Sequence, residues 1–282
     1  MADATRPGPS TPYVVHEVVD GVMARRPDRV VTEEPLEIRL GWPGEPPRRV
    51  AITMRTPGAD FELAAGFLLS EGVISPAVPP SSITYCLDST LTREQHYNVV
   101  TVQIAGPPLR APASRFTAVS SACGVCGTQS LEEVFAADQE PLVPGEPYDA
   151  TLLAALPDRL RAAQPLFGKT GAVHAAGVFD RAGHLVVVRE DVGRHNCVDK
   201  VLGSRLLGRT SYGEDAVLCV SGRVGFDIVA KAAAGRIGTI VGVGGPSSLA
   251  VQLAARAGIT VCGFARGRRY VVYTHPARVA GG

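Results

Sequence analysis

Two thiols three positions apart give the sharpest chemical signal in the chain, within Ser120-Ser121-Ala122-Cys123-Gly124-Val125-Cys126-Gly127-Thr128. Such a pair can share a metal, close a disulfide, or act as nucleophile and resolving partner. A closed zinc site asks for four ligands, usually two such pairs. This chain has one pair, so His195 and Cys197 would have to complete the set. A thioredoxin-like reading would need the pair at a helix start within a strand–helix–strand unit. A chance pair in a turn is the plainest alternative. The surroundings favour reactive thiols on a mobile loop, because Gly124 and Gly127 loosen the backbone and small Ser and Ala neighbours leave the sulfurs accessible. A flexible cysteine arm suits carrying sulfur as a persulfide between a donor and an acceptor.

Glycine turns carry the second signal. Backbone N–H groups at a turn that opens a helix form a ready anion site, and Ser221-Gly222-Arg223 and Gly244-Gly245-Pro246-Ser247 fit that description. The bland alternative is that these glycines only permit tight strand-to-helix turns. No Walker A lysine follows a glycine loop, and no G-x-G-x-x-G fingerprint opens a strand-to-helix turn. Nucleotide hydrolysis and nicotinamide chemistry are therefore poorly supported. Arg266-Gly267-Arg268-Arg269 follows the last apolar strand. Its guanidinium forks suit phosphate and can stack on a purine, unless this is simply a solvated basic turn. Three anion-friendly features point to a large phosphorylated ligand such as a dinucleotide. His174, among small residues, and His195, after Glu190, Asp191 and Arg194, could each act as acid or base near neutral pH, although a lone histidine is more often a structural hydrogen-bonder.

The elements that must position these residues divide the chain in two. Twenty of the 22 prolines lie at or before Pro165, whereas 20 of the 31 glycines follow it. Residues 1–12 read as a disordered tail, and residues 13–145 as a smaller mixed α+β region carrying the CxxC loop. Short strands are expected around Tyr13-Val14-Val15, Leu36–Leu40, Val50–Met54 and Asn98–Ile104, with a helix over Phe61–Leu69 capped by Asp60. Residues 146–282 read as an α/β cofactor-binding domain. Apolar strands such as Ala216–Val220 and Thr239–Val243 each lead through a glycine turn into a helix, the pattern of a mainly parallel sheet covered by helices. Ligands of such sheets bind outside the carboxyl ends of the strands.

Composition narrows the classes. With 28 Lys+Arg against 27 Asp+Glu, the chain offers neither a broad nucleic-acid surface nor a polybasic membrane anchor. No apolar run approaches the roughly 18 residues of a membrane span, and the first residues lack a secretory h-region. Six scattered cysteines do not make a disulfide scaffold, so a reduced, cytoplasmic protein is expected.

Ser121–Gly127, Thr170-Gly171-Ala172-Val173-His174, Arg189-Glu190-Asp191-Val192-Gly193-Arg194-His195-Asn196 and Gly263-Phe264-Ala265-Arg266-Gly267 together resemble the FdhD family of formate dehydrogenase accessory sulfurtransferases. The resemblance runs from about Tyr13 to Pro276. It implies a cytoplasmic, dimeric sulfur carrier with a cytidine deaminase-like α/β half. Sulfur would come as a persulfide from a cysteine desulfurase and pass to the molybdenum bis(molybdopterin guanine dinucleotide) cofactor of formate dehydrogenase. A non-catalytic, cofactor-binding chaperone is the alternative. By this resemblance the persulfide cysteine maps to Cys123 with Cys126 as second thiol, and the cofactor segment maps to Phe264, Ala265, Arg266, Gly267, Arg268 and Arg269. Ser221, Gly222, Arg223, His174 and His195 complete the expected cofactor contacts, and no resident metal is expected. Deaminase chemistry is absent, because His174 is followed two positions on by Ala176 and Cys123 is preceded by Ala122. Gly225 and Gly244-Gly245 depart from the serine or alanine more usual in the family, so no side-chain contacts are assigned to those turns.

Overall fold

The computed structural model describes residues 6–86, 96–110, 140–143 and 145–280. It begins with a long hairpin, β1 (Ser10–Val19) and β2 (Val22–Val31), paired antiparallel from Ser10↔Val31 to Val19↔Val22. Asp20-Gly21 makes the two-residue turn, both residues at positive φ as a type I′ turn requires. Residues 10–12, expected in a disordered tail, are therefore strand residues, because their partners at 29–31 satisfy the backbone groups that the prolines spare.

A second sheet follows, made of β3 (Glu34–Trp42), β4 (Glu45–Arg55), β5 (Ser82–Tyr85) and β6 (Val99–Gln103) in the order β4-β3-β6-β5. Helix α1 (Asp60–Ser70) lies between β4 and β5 in sequence. Asp60 does not cap it as expected. The N-cap is Ala59, and the Asp60 carboxylate is buried, where it takes hydrogen bonds from the Arg55 guanidinium, at 3.1 and 3.2 Å, and from the Tyr85 hydroxyl, at 2.9 Å. A buried arginine needs a carboxylate more than a helix end needs a cap that backbone can replace.

The remainder comprises β7 (Tyr148–Asp149), α2 (Ala150–Ala162), α3 (Pro165–Thr170), β8 (His174–Phe179), β9 (Leu185–Asp191), α4 (Arg194–Leu206), β10 (Val217–Val220), α5 (Phe226–Ala234), β11 (Thr239–Gly242), α6 (Ser248–Ala257), β12 (Thr260–Arg266), β13 (Arg269–Val272) and β14 (Val279–Ala280). β7 and β14 form a small parallel pair. The large sheet has the order β13-β12-β11-β10-β8-β9. Here the expectation of a mainly parallel sheet is corrected. Only β10–β11 and β11–β12 are parallel, and the other three pairings are antiparallel, so the sheet is mixed. The reason lies in the connections, since β8–β9 and β12–β13 are joined by turns far too short for the crossover that parallel pairing demands.

Both faces of this sheet are buried, as its apolar strands require. Leu153, Leu156 and Leu160 of α2 pack with Ala175, Phe179, Val217 and Cys219 on one face. On the other, Val198, Val201 and Leu202 of α4 and Ile228 and Ala232 of α5 meet Ala176, Val178 and Leu218. That same cluster continues through Leu63 and Leu68 of α1 to Leu36, Ile38 and Leu40 of β3, so both regions of the chain share one core. Helices α1 and α4 cross where Gly66 faces the Asp199 backbone and Gly203 faces the Glu62 backbone, an approach that no side chain would allow. Among the described residues no helix is long and apolar enough to cross a membrane.

Candidate functional site

The carboxyl ends of β9, β10, β11 and β12 come out on one edge of the large sheet. β8 runs the other way, so its first residue, His174, opposes Asp191 and arrives at the same edge. Helices α4 and α5 open here behind Gly193 and Gly225 without side-chain caps, which leaves backbone donors pointing outward. Helix α6 opens behind Ser247, whose Oγ accepts from the Ala250 N–H at 3.2 Å.

Ser221 follows β10, and its Oγ accepts from the Ala175 N–H at 2.9 Å while lying 3.5 Å from His174 Nδ1. A methyl at Gly222 would sit 3.5 Å from His174 Nδ1 and 3.7 Å from Arg194 Cδ, ordinary van der Waals contact, so these two side chains lie close against the turn. The His174 imidazole is half-buried. Burial first, then the Arg194 charge, lowers its pKa below the ordinary histidine value, and Asp191 opposes this. At neutral pH it is a neutral ring with one donor and one acceptor.

The turns are stitched to one another by backbone. Gly244 N–H donates to Gly222 C=O at 3.0 Å, Val224 N–H to Gly245 C=O at 3.2 Å, and Phe264 N–H to Gly244 C=O at 3.2 Å. Phe264 is half-exposed and held at φ +53°, a conformation costly for a bulky residue. Its ring covers Gly245 so closely that a methyl there would lie 2.7 Å from a ring carbon. Arg266 pairs with Arg269 across the two-residue turn Gly267-Arg268, with Gly267 at φ +60°, and all three arginines are exposed. The edge thus carries a guanidinium cluster at its rim, an apolar ring beside it, and backbone donors within.

Not every expected residue faces this edge. Ala265 is buried in the α2-side core, so only its backbone could serve a ligand. His195 lies at the start of α4 with Nε2 3.6 Å from Asp227. Burial above all, reinforced by Arg194, pushes its pKa down to about 3, so at neutral pH this approach is not an ion pair. Cys197 turns into the core, where its Sγ lies 3.4 Å from Gly193 C=O, and it cannot join His195 on a common metal. Burial raises the thiol pKa of Cys197, Cys219 and Cys262, which makes them poor nucleophiles. Cys123 and Cys126 lie outside the described residues.

The acidic run before α4 has a positioning role that its sequence did not disclose. The Asp191 carboxylate is fully buried against Lys200, at 2.6 Å, and accepts from Thr56 N–H, Gly193 N–H and Asn196 Nδ2. Glu190 accepts from the N–H groups of Leu166 and Phe167 at the start of α3. Arg189 Nη2 donates to Glu62 at 2.8 Å, and Arg209 donates to the same carboxylate. These bonds fix the start of α4, and with it Arg194 and His195, against β4, α1 and α3. The partners lie up to 147 residues apart, which is why pattern along the chain could not reveal them.

Fold and edge define a class: a mixed α/β protein with exposed arginines and two uncapped helix starts at one end of its large sheet, and with no Walker A sequence. Comparison with known proteins gives the family. The FdhD/NarQ family model matches residues 31–280. A "Sulfur carrier protein FdhD" of Streptomyces coelicolor is 47% identical over 271 residues, 94% of each chain. A protein of the same name in Anaeromyxobacter dehalogenans is 44% identical over 263 residues, 89% of this chain and 88% of that one. A crystal structure from Desulfotalea psychrophila, provisionally assigned as a formate dehydrogenase accessory protein, superposes with a TM-score of 0.73 at 27% identity, covering 96% of this chain and 99% of the other. The chain belongs to the FdhD/NarQ family.

Proposed function

We propose that the protein is a cytoplasmic sulfur carrier that serves formate dehydrogenase and delivers sulfur to a guanine-dinucleotide molybdenum cofactor held at the sheet edge. The observation that carries the reading is the convergence of Arg266, Arg268, Phe264, His174 and two uncapped helix starts on one edge. That set of groups suits a ligand with both phosphates and a flat ring. Membership in a family whose relatives are named sulfur carriers supports the cargo. Of the four described cysteines, Cys197, Cys219 and Cys262 are buried and Cys86 is partly exposed, so burial removes three competitors of the CxxC pair as the reactive sulfur.

In this reading the Cys123 thiolate attacks the terminal sulfur of a persulfide on a cysteine desulfurase. A new S–S bond forms on Cys123, the donor S–S bond breaks, and the donor cysteine leaves as thiolate. Delivery is completed when the Cys126 thiolate attacks the Cys123 sulfur. The two thiols are oxidised to a disulfide, and the terminal sulfur departs as sulfide with its electron pair to the bound molybdenum substrate. The protein's own edge binds and orients that substrate through its nucleotide portions.

Incubation with an active desulfurase and cysteine, followed by intact mass spectrometry, tests the cargo. A gain of about 32 Da that reductant removes and that Cys123→Ala abolishes is expected. No gain in the wild type would leave a cofactor-binding chaperone in its place. Calorimetry with a guanine nucleotide tests the edge. Each lost charge-assisted contact is worth about 1.5–3 kcal/mol, so Arg266→Ala with Arg268→Ala should weaken binding roughly a hundredfold or more while sulfur loading persists. Unchanged affinity would remove the ligand from this edge.

A further inference from the structure

The turns and helix starts of the carboxyl edge (residues 172–176, 191–196, 221–227, 243–248 and 264–269) carry five arginines and two carboxylates. Asp191 is buried and answered by Lys200, Thr56, Gly193 and Asn196. Asp227 is not answered in this way. It is the second residue of α5, its side chain is 25% exposed, and no described residue donates a hydrogen bond to it. The His195 ring lies beside it with Nε2 3.6 Å from Oδ2, too long for a hydrogen bond, and is neutral at neutral pH. His195 Nε2 is itself buried without a hydrogen-bond partner, so neither group of the pair is satisfied within the protein. A carboxylate in the first turn of a helix is favoured by the helix dipole. The dipole does not account for a lone acceptor among arginines.

Phosphate oxygens accept hydrogen bonds and carry like charge, so Asp227 cannot serve them. An ionised carboxylate takes donors, best as two parallel N–H groups, as it does from arginine. Within a purine nucleotide, guanine presents such a pair, the ring N1–H beside the N2 amino group. Adenine offers its N6 amino group beside a bare N1 that accepts rather than donates. The turns also bring Asp227 near an aromatic face. Val224, three residues before it, donates to Gly245 C=O at 3.2 Å, and the Phe264 ring lies over Gly245. Three residues span at most about 11 Å. An aromatic face and a free acceptor on adjoining turns are the two features that hold a base, one by its plane and the other by its Watson–Crick edge.

We infer that Asp227 selects guanine, its carboxylate accepting from N1–H and N2–H of the base while the arginines of the edge hold phosphate. The inference rests on the reading of this edge as a nucleotide site, and it names the residue that makes the site prefer one base. The neutral His195 ring leaves the carboxylate's charge to the ligand, whereas a protonated ring would compete for it. A site built to pair with ligand donors rejects an analogue that lacks them, because its own polar group is then left without a partner.

Calorimetry on the full chain with GDP, IDP and ADP tests it, in the wild type and in Asp227→Asn. IDP keeps N1–H and lacks the amino group, so the wild type is expected to bind GDP about tenfold or more tightly than IDP, and to bind ADP more weakly than GDP by at least that factor. Asparagine keeps the size of the side chain and one acceptor, and should shrink the GDP-to-ADP affinity ratio about tenfold or more. A ratio that the substitution leaves unchanged would overturn the inference. So would a wild type that binds GDP no more tightly than ADP, a result that needs no variant. An equal loss with all three nucleotides would also overturn it, since a ribose contact or a purely structural helix-start role acts alike on every base. Failure of the wild type to bind GDP at all is a separate result, which would overturn the reading of the edge and this inference with it.

Discussion

Gly203→Ala is a change of one methyl group that the structure turns into a large effect. The added carbon would lie 2.6 Å from the Glu62 carbonyl carbon, and closer still to its oxygen. Carbon atoms pack at about 3.5–4.0 Å, so α1 and α4 would have to separate by roughly 1 Å. Neither side can yield alone, because the atom in the way is backbone. Glu62 itself is buried, holding Arg189 and Arg209, so movement of α1 strains those pairs as well. Overpacking of this kind costs up to about 3 kcal/mol. The better helix propensity of alanine returns about 1 kcal/mol, leaving a net loss of roughly 2 kcal/mol. At about 2–3 °C per kcal/mol for a chain of this size, Tm should fall by about 4–6 °C. The control is the same substitution at Gly168 in α3, where no atom lies within 4 Å of the added methyl. There, alanine should be neutral or raise Tm by about 2 °C. Circular dichroism melts of both variants read the comparison directly. A Gly203→Ala protein melting with or above the wild type would refute the claim that glycine is required by the helix crossing.

Phe264→Gly separates strain from function. Glycine adopts φ +53° freely, which relieves about 1–3 kcal/mol of backbone strain. Stability should hold or rise, while guanine-nucleotide affinity measured by calorimetry falls with loss of the ring, by about 1–3 kcal/mol if a base stacks there. Lost stability with unchanged affinity would mark the ring as packing only. His195 sets a pH dependence. Its folded pKa, about 3, lies below the unfolded value of about 6.5, so the unfolded chain takes up the proton first. The stability this gives is fully present above pH 6.5 and is lost as pH falls from there toward 3, by up to about 1.4 kcal/mol per pH unit. His174, shifted the same way, adds to it, whereas Glu62, held below the usual carboxylate range by Arg189 and Arg209 against its burial, acts only at lower pH. Urea midpoints between pH 7 and 5 should therefore decline less in His195→Gln than in the wild type. Parallel declines would show that the ring is not buried neutral.

How much of this was legible in the sequence depends on the distance over which each cause acts. Apolar runs such as Val217–Val220 and Thr239–Gly242 announce buried strands because burial is written in each residue. Strand direction is not written there, and it had to be read from connection length. The four residues from Arg266 to Arg269 read as a basic turn, yet the antiparallel strand pairing that so short a turn forces does not follow from the parallel pattern expected of the sheet. Asp20-Gly21 is a strong local hairpin signal, although only a short strand at Tyr13–Val15 is expected before it and residues 1–12 read as a tail. Those prolines sit where a strand can bear them, near the end and along the edge of a two-stranded arm.

The candidate site shows the same division more sharply. The groups exposed at that end of the sheet were legible, since glycine turns and an arginine turn after apolar strands are local patterns. Its supports were not. Asp191 and Lys200 stand nine positions apart, as a surface ion pair could, but their burial follows from Thr56 and Asn196, which occupy the carboxylate's remaining sites. A charge taken out of water must be satisfied at every lone pair, and here the satisfying groups come from a strand end, a loop and a helix start. The Arg189–Asn196 run is for this reason a joint between the two regions of the chain. Removing Asp191 would leave Lys200 buried without its counter-charge and free the start of α4, disturbing the edge without any contact to a ligand.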